Sequence, residues 1–226
     1  MPISPENKIC YIHIPKTGGT TIESMLPGVF PNELIGIEPW DKQTNNLANL
    51  FGNNLQHLTY KEIIDLKPEV EKDNYFVFTT VRNPYERVVS MVGWRNKRWT
   101  KKMEITQSEF NKYIKELELR WIKNKLLLHE IPQYKFLDED LKCVDYILKL
   151  DEINESKIEE MEKMMKIKNY NTNFKFNYDK NKILMKSFHK NYIEYFNKNK
   201  KAIELINKIY YMDFRIFNYP KLELIV

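Results

Sequence analysis

Residues 8–21, Lys-Ile-Cys-Tyr-Ile-His-Ile-Pro-Lys-Thr-Gly-Gly-Thr-Thr, limit what this chain can fold into more than any other stretch. Ile9, Tyr11, Ile12 and Ile14 form an apolar, β-branched run, the pattern of a buried strand over 8–14. Pro15 ends it. A lysine, two adjacent glycines and three threonines follow, and a helical pattern opens over 20–26 with Ile22, Met25 and Leu26. Strand, basic glycine-bearing turn and helix start make a phosphate-binding layout. The turn presents backbone N–H groups, the helix dipole favours an anion, and the lysine adds a charge.

The order within that turn narrows the chemistry. In a Walker A loop the glycines come first and the lysine follows the last of them, whereas here Lys16 precedes Gly18 and Gly19. No apolar strand ends in an aspartate suited to magnesium. The second strong strand, 75–81, runs instead into Arg82. Phosphate is therefore expected to be held by lysine, hydroxyls and amides, with no metal.

Arg82 opens a second constellation, Arg-Asn-Pro-Tyr-Glu-Arg-Val-Val-Ser, which ends at Ser90. Pro84 suits a first helical turn, so Arg82 stands at a strand end and Ser90 two turns into a helix. Both side chains can then reach one anion. Two separate anion sites suit a nucleotide phosphorylated at both ends of its ribose. The arginine distribution agrees. Of 36 basic residues only six are arginine, and four of these (Arg82, Arg87, Arg95, Arg98) lie close together. Arginine is the better fork for phosphate. The net charge of +5 fits an acidic ligand but does not argue for nucleic acid.

Between the two constellations, 34–37 reads as a short strand and 38–56 as an Asn/Gln-rich loop. Thr59 with Glu62 has capping-box spacing at the head of a helix that ends before Pro68. Thr106 with Glu109 repeats it for a helix burying Phe110, Tyr113, Ile114, Leu117 and Trp121. That helix is expected to continue, kinked, through Leu126–Leu128 to Pro132. Strand 144–150, helix 154–168 (Ile158, Met161 and Met165 inward), loop 169–182 and helix 190–212 complete the reading, after a polar leader over 1–7. The helix over 190–212 carries Ala202, Ile203, Ile206, Ile209 and Tyr210 as its stripe. Strands separated by helices predict an α/β, P-loop-type three-layer fold. It has a central, mostly parallel sheet and a helix-rich C-terminal half, in a single domain over 1–226. Ligands of such sheets bind beyond the strand C-termini, where both constellations fall.

Ile-Pro-Lys-Thr-Gly-Gly-Thr-Thr resembles the 5′-phosphosulfate loop of the sulfotransferases, and Val-Arg-Asn-Pro-Tyr-Glu-Arg-Val-Val-Ser resembles their 3′-phosphate motif. The group most similar includes the Golgi carbohydrate O-sulfotransferases and small soluble microbial relatives. Three further stretches support the resemblance. They are Gln56-His57-Leu58-Thr59, the Val144–Leu150 run with Glu152, and the C-terminal segment with Lys186, Ser187, Lys190, Tyr192–Phe196 and Asp213-Phe214. The resemblance implies 3′-phosphoadenosine 5′-phosphosulfate (PAPS) as sulfonyl donor. It places Lys16, Thr17, Gly18, Gly19, Thr20 and Thr21 on the phosphosulfate, and Arg82 and Ser90 on the 3′-phosphate. Lys16 also meets charge on the leaving oxygen. His57 falls at the family's base position, and histidine suits that work.

The other histidines read differently. His13 lies within the first strand as a packed or supporting residue, His129 follows an apolar helix, and His189 sits among lysines. Cys10 and Cys143 have no disulfide or metal spacing and read as core residues. The acceptor is expected to be a hydroxyl on a glycan or small molecule, with Trp40, Trp94, Trp99, Trp121 and Tyr134 available for stacking. No signal peptide pattern and no stretch of 18 apolar residues occur, which leads to the expectation of a soluble, cytoplasmic protein without membrane or nucleic-acid partners. Two readings compete with sulfonyl transfer: a P-loop kinase using ATP and magnesium, and a non-catalytic binder of polyanions through its lysines. Magnesium-independent activity speaks against the first. A contiguous basic face, with steep salt dependence, would mark the second.

Overall fold

The computed structural model describes residues 3–26, 55–100, 105–138, 140–167, 191–197 and 199–222. The expected strand at 34–37, most of the loop at 38–56, the loop at 169–182, Trp40, Lys186, Ser187, His189 and Lys190 lie outside them, as does the side chain of Trp99. The described chain falls into two compact units. The first comprises residues 1–81 and 135–186, the second 82–134 and 187–226.

The first unit is built on a four-stranded sheet in the order β1 (Ile3–Ser4), β2 (Ile9–Ile12), β3 (Phe76–Val81), β4 (Tyr146–Lys149). β2, β3 and β4 run parallel, with Ile12 opposite Thr79 and Val81 opposite Lys149. β1 is antiparallel to β2 and pairs Ile3 with Cys10. The polar leader expected at 1–7 thus contains an edge strand. Its two residues are both buried, but two residues show no periodicity to read.

Alternation along the strands divides the sheet into faces. Ile9, Tyr11, Phe76, Phe78, Tyr146 and Leu148 pack with Ile22, Met25 and Leu26 of α1 (Gly19–Met25 and its C-cap) and with Ile158, Met161 and Met165 of α6 (Glu155–Ile167). The inward set expected for the second of these helices is the one found. Cys10, between Ile9 and Tyr11, points to the opposite face, and α2 (Tyr60–Leu66) carries Tyr60 within electrostatic reach of Cys10 and Cys143. Burial pushes the Tyr60 hydroxyl up to about 12, and Glu71, Cys143, Asp138 and Cys10 add to the shift. Helix, sheet and helix make the expected α/β layering. Thr59 caps α2 as read, its hydroxyl accepting from the Glu62 N–H and its own N–H donating to Glu62 Oε2 at 2.7 Å. Beyond Pro68 a further turn forms, α3 (Glu69–Lys72). Both cysteines are buried and burial pushes each thiol up to about 12, so neither is a reactive thiolate. Cys143 precedes β4 rather than lying in it.

The second unit is helical: α4 (Pro84–Thr100), α5 (Gln107–Ile122), α7 (Tyr192–Phe196), α8 (Lys200–Ile209) and α9 (Tyr211–Ile216). Two expectations fail here. α5 does not continue through Leu126–Leu128. Asn124 takes a left-handed conformation (φ 52°), the Lys125 N–H donates to the Arg120 carbonyl and the Asn124 N–H to that of Trp121. That double closure is a Schellman end, and asparagine is the residue after glycine that most readily allows it. Trp121, expected on the buried face, is consequently exposed at the frayed end, while Phe110, Tyr113, Ile114 and Leu117 are buried. The helix expected over 190–212 is broken into three: Asn199 accepts from the Ala202 N–H and restarts the chain as a new N-cap, and α8 closes at Tyr210, whose N–H donates to the Ile206 carbonyl, before α9 begins. The stripe of α8 is buried as read. Among the described residues, no helix is long and apolar enough to cross a membrane.

Candidate functional site

The turn after β2 is shaped by two left-handed residues. Lys16 has φ 67° and Gly18 has φ 93°. Left-handed residues in close succession turn neighbouring N–H groups toward one point, the geometry of an anion-binding nest. Gly18 is the N-cap of α1 and no side chain caps the helix. Lys16 is half-buried and Thr20 exposed. Thr17 faces the other way. Its hydroxyl is fully buried and donates to the Ile14 carbonyl at 2.8 Å. Because that proton is committed, Thr80 donates to Thr17 (3.0 Å) and Tyr11 to Thr80 (2.6 Å). This directed chain of hydroxyls ties the turn to β3. Thr21 is buried, and its N–H donates to the Gly18 carbonyl. Of the three threonines read as anion ligands, Thr20 alone has an exposed side chain; Thr17 and Thr21 face the fold.

His13 is the packed residue that its place in the strand suggests. It is 5% exposed, Nδ1 donates to Glu23 Oε1 at 2.8 Å, and its ring stacks on Tyr11. The ring also fills the space above Gly19, where a Cβ would overlap it directly. Since His13 is held by a buried carboxylate, it has nowhere to retreat. Gly19→Ala is expected to cost ~1–3 kcal/mol by overpacking. Urea unfolding checks this, and an unchanged midpoint would show that the His13 ring moves freely.

His57 comes to the same place. It ends a short 3₁₀ turn, Leu55–His57, and its ring meets that of His13 edge-on at 4.6 Å. Its Nδ1 donates to the His13 carbonyl at 2.9 Å. A carbonyl only accepts, so this bond puts the proton of the neutral imidazole on Nδ1 and leaves Nε2 with the lone pair. The histidine assigned to proton removal is thus anchored to the strand end that carries the lysine turn, in the tautomer that a base needs.

In the second unit, Arg82 follows directly on β3 and is 6% exposed. Its Nε donates to Glu86 Oε2 at 3.1 Å, an i,i+4 pair. Ser90 lies one further turn along α4 and is half-buried, so Glu86 and Ser90 share a helix face. The peptide of Arg82 is held by Gln133, whose Oε1 accepts from the Arg82 N–H (2.8 Å) and whose Nε2 donates to the Arg82 carbonyl (2.9 Å). Asp213 in turn accepts from the N–H groups of Gln133 and Tyr134. Burial pushes the Asp213 carboxyl up, while Arg87 and these donors pull against it.

Sequence reasoning missed Glu23, Thr80, Gln133 and Asp213 as supports of the two constellations. Glu86 was missed too, although its i,i+4 spacing from Arg82 could have found it. Two threonines at the end of an otherwise apolar strand were a cue for Thr79 and Thr80. Nothing local marks Gln133 or Asp213, which lie far along the chain from Arg82. Trp94 meets the His129 ring edge-on at 4.6 Å and is partly exposed. Among the described residues, no group of three or more His, Cys, Asp or Glu side chains is arranged to hold a metal ion.

A family model described as the sulfotransferase family matches residues 1–220, across all four segments of the two units. No curated protein and no solved structure matches the chain.

Proposed function

The chain belongs to the sulfotransferase family, whose members transfer sulfonyl groups, and from that premise we propose that it moves the sulfonyl group of PAPS to an acceptor hydroxyl. Residues 1–226 are read as a single sulfotransferase domain, in keeping with the family model's span of residues 1–220. The nest formed around Lys16 and Gly18 suits the 5′-phosphosulfate, through the amides of residues 16–20, the Lys16 ammonium and the Thr20 hydroxyl. Arg82 and Ser90 take the 3′-phosphate. Thr17 and Thr21 contribute through the backbone, since their side chains are turned inward.

The hydrogen bond from His57 Nδ1 to the His13 carbonyl carries the mechanistic reading. His57 Nε2 removes the acceptor hydroxyl proton as the acceptor oxygen bonds to sulfur. On the opposite side the bond from sulfur to the phosphate oxygen breaks, and Lys16 meets the charge that develops there. Such a displacement is in line, so the protein's task is chiefly to align the two oxygens. The acceptor is a hydroxyl on a carbohydrate or other small molecule.

Labelled PAPS and an acceptor panel, in magnesium-free buffer, test this. Transfer of label by the wild type is expected, and Lys16→Ala is expected to abolish it. Arg82→Ala is expected to weaken PAPS binding roughly 10- to 100-fold, the worth of hydrogen bonds to a charged group. No PAPS binding by the wild type would sink the proposal. Binding unchanged by Arg82→Ala would remove only the 3′-phosphate assignment.

A further inference from the structure

Among the described residues, Glu86 and Gln133 both hold Arg82, and the contact with Gln133 is unusual in kind. Glu86 takes Nε of the side chain. Gln133 takes the backbone, with one planar amide closing on both the N–H and the C=O of Arg82. A residue presents both of those groups to one side when it is extended, as in a strand pair, so Gln133 stands in for a neighbouring strand just where β3 runs out. A carboxamide carries its donor and acceptor side by side in one plane, and the other carboxamide side chain, asparagine, is one carbon shorter. The amide is fully engaged. Its second N–H reaches Asp213 Oδ2 at 3.3 Å, and the same carboxylate receives the Gln133 backbone N–H at 2.9 Å. Gln133 and Asp213 are both completely buried, so the clamp is shielded from water.

We propose that Gln133, held by Asp213, is a positioning residue that sets the preference for a 3′-phosphorylated nucleotide by fixing the backbone from which the Arg82 guanidinium projects. The inference rests on the assignment of Arg82 to the 3′-phosphate. A guanidinium recognises phosphate through a rigid fork, and recognition by a fork depends on where its stem starts. With the stem pinned by Gln133 and Nε pinned by Glu86, the remaining freedom of the side chain is small. Without the clamp, the Arg82 peptide no longer has its two partners, and the guanidinium loses its fixed approach.

The test compares binding of 3′-phosphoadenosine 5′-phosphate with that of adenosine 5′-phosphate, for the full-length wild type and Gln133→Leu. The ratio of the two affinities measures recognition of the 3′-phosphate, and adenosine 5′-phosphate binding reports whether the rest of the site is intact. The wild-type ratio is expected to be roughly 10- to 100-fold. In Gln133→Leu most of that ratio is expected to vanish while adenosine 5′-phosphate binds as before. A wild-type ratio near one overturns the 3′-phosphate assignment itself. A normal wild-type ratio that survives intact in folded Gln133→Leu overturns the clamp. Should Gln133→Leu show no cooperative melt, Asp213→Asn is judged by the same two outcomes. It removes one acceptor from the amide's support and keeps the shape.

Discussion

His57→Ala is expected to lower kcat by ~10²- to 10⁴-fold, the usual contribution of a positioned acid or base. Affinity for 3′-phosphoadenosine 5′-phosphate is expected to stay at the wild-type level, because the proposed nucleotide contacts come from other residues. The geometry sets both halves of this expectation. Nδ1 is occupied by the His13 carbonyl at 2.9 Å, so the ring is fixed in place and only Nε2 is basic. Loss of the ring removes a proton acceptor and leaves the turn's own bonds, Thr17 to Ile14 and Thr80 to Thr17, untouched. Steady-state kinetics with a separate binding isotherm makes the distinction. Two further signs separate a base from a merely structural ring. The acid limb of the pH–rate profile should disappear in the variant, and added imidazole should restore part of the rate. An unchanged kcat would take His57 out of the chemistry.

Arg87→Met is expected to destabilise the protein by ~2–5 kcal/mol, the largest stability effect of any single change considered for the second unit. Arg87 is 1% exposed, and its two terminal nitrogens donate to the carbonyls of Ile131 (2.9 Å) and His129 (3.1 Å). Its charge lies over the Tyr210 ring and acts on the buried carboxylates Asp213 and Glu130. Methionine keeps most of the volume but takes a charged donor away from both carbonyls and withdraws the charge. One term opposes the loss. Burial lowers the Arg87 pKa, which means that keeping the cation there is itself costly, and methionine recovers that cost. Urea unfolding decides the balance. Arg87→Lys should fall between wild type and Arg87→Met, since an ammonium retains the charge but not the fork. A loss under about 1 kcal/mol for Arg87→Met would mean that recovered desolvation offsets the two hydrogen bonds.

How far the amino-acid pattern reaches is plain from individual residues. Thr59 with Glu62 and Thr106 with Glu109 were legible because a capping box is a local bargain, closed within four residues. Ile158, Met161 and Met165 were legible because a helix face repeats over many turns. β1 was not, since an edge strand of two residues is defined by its partner rather than by its own pattern. Asn124 ended a helix through a left-handed backbone and Asn199 restarted one through its side chain, roles that asparagine permits but does not require. Of the candidate residues, Lys16 and Arg82 stood out by type and spacing, and His57 through the family resemblance. What holds them did not. Glu23 and His13 read as ordinary helix and strand residues, and Gln133 becomes meaningful only once the chain has brought it to Arg82. Chemistry-bearing residues announce themselves because few side chains can do the work. Their supports are drawn from whatever the fold delivers.

The division of the chain has a consequence for its synthesis. The two units are interleaved: residues 1–81, 82–134, 135–186 and 187–226 belong to them in alternation. A nascent chain that has just exposed β3 carries an unfinished sheet, with one flank open until β4 emerges, and β4 lies beyond the whole of residues 82–134. Nor is the helical unit complete then, because α7, α8 and α9 follow β4 in the chain. Domains made of contiguous sequence fold in turn as they leave the ribosome. This chain has no such intermediate stopping point. Neither unit exists as a continuous fragment, and the second cannot be whole until residues 187–226 have followed the first unit's last segment.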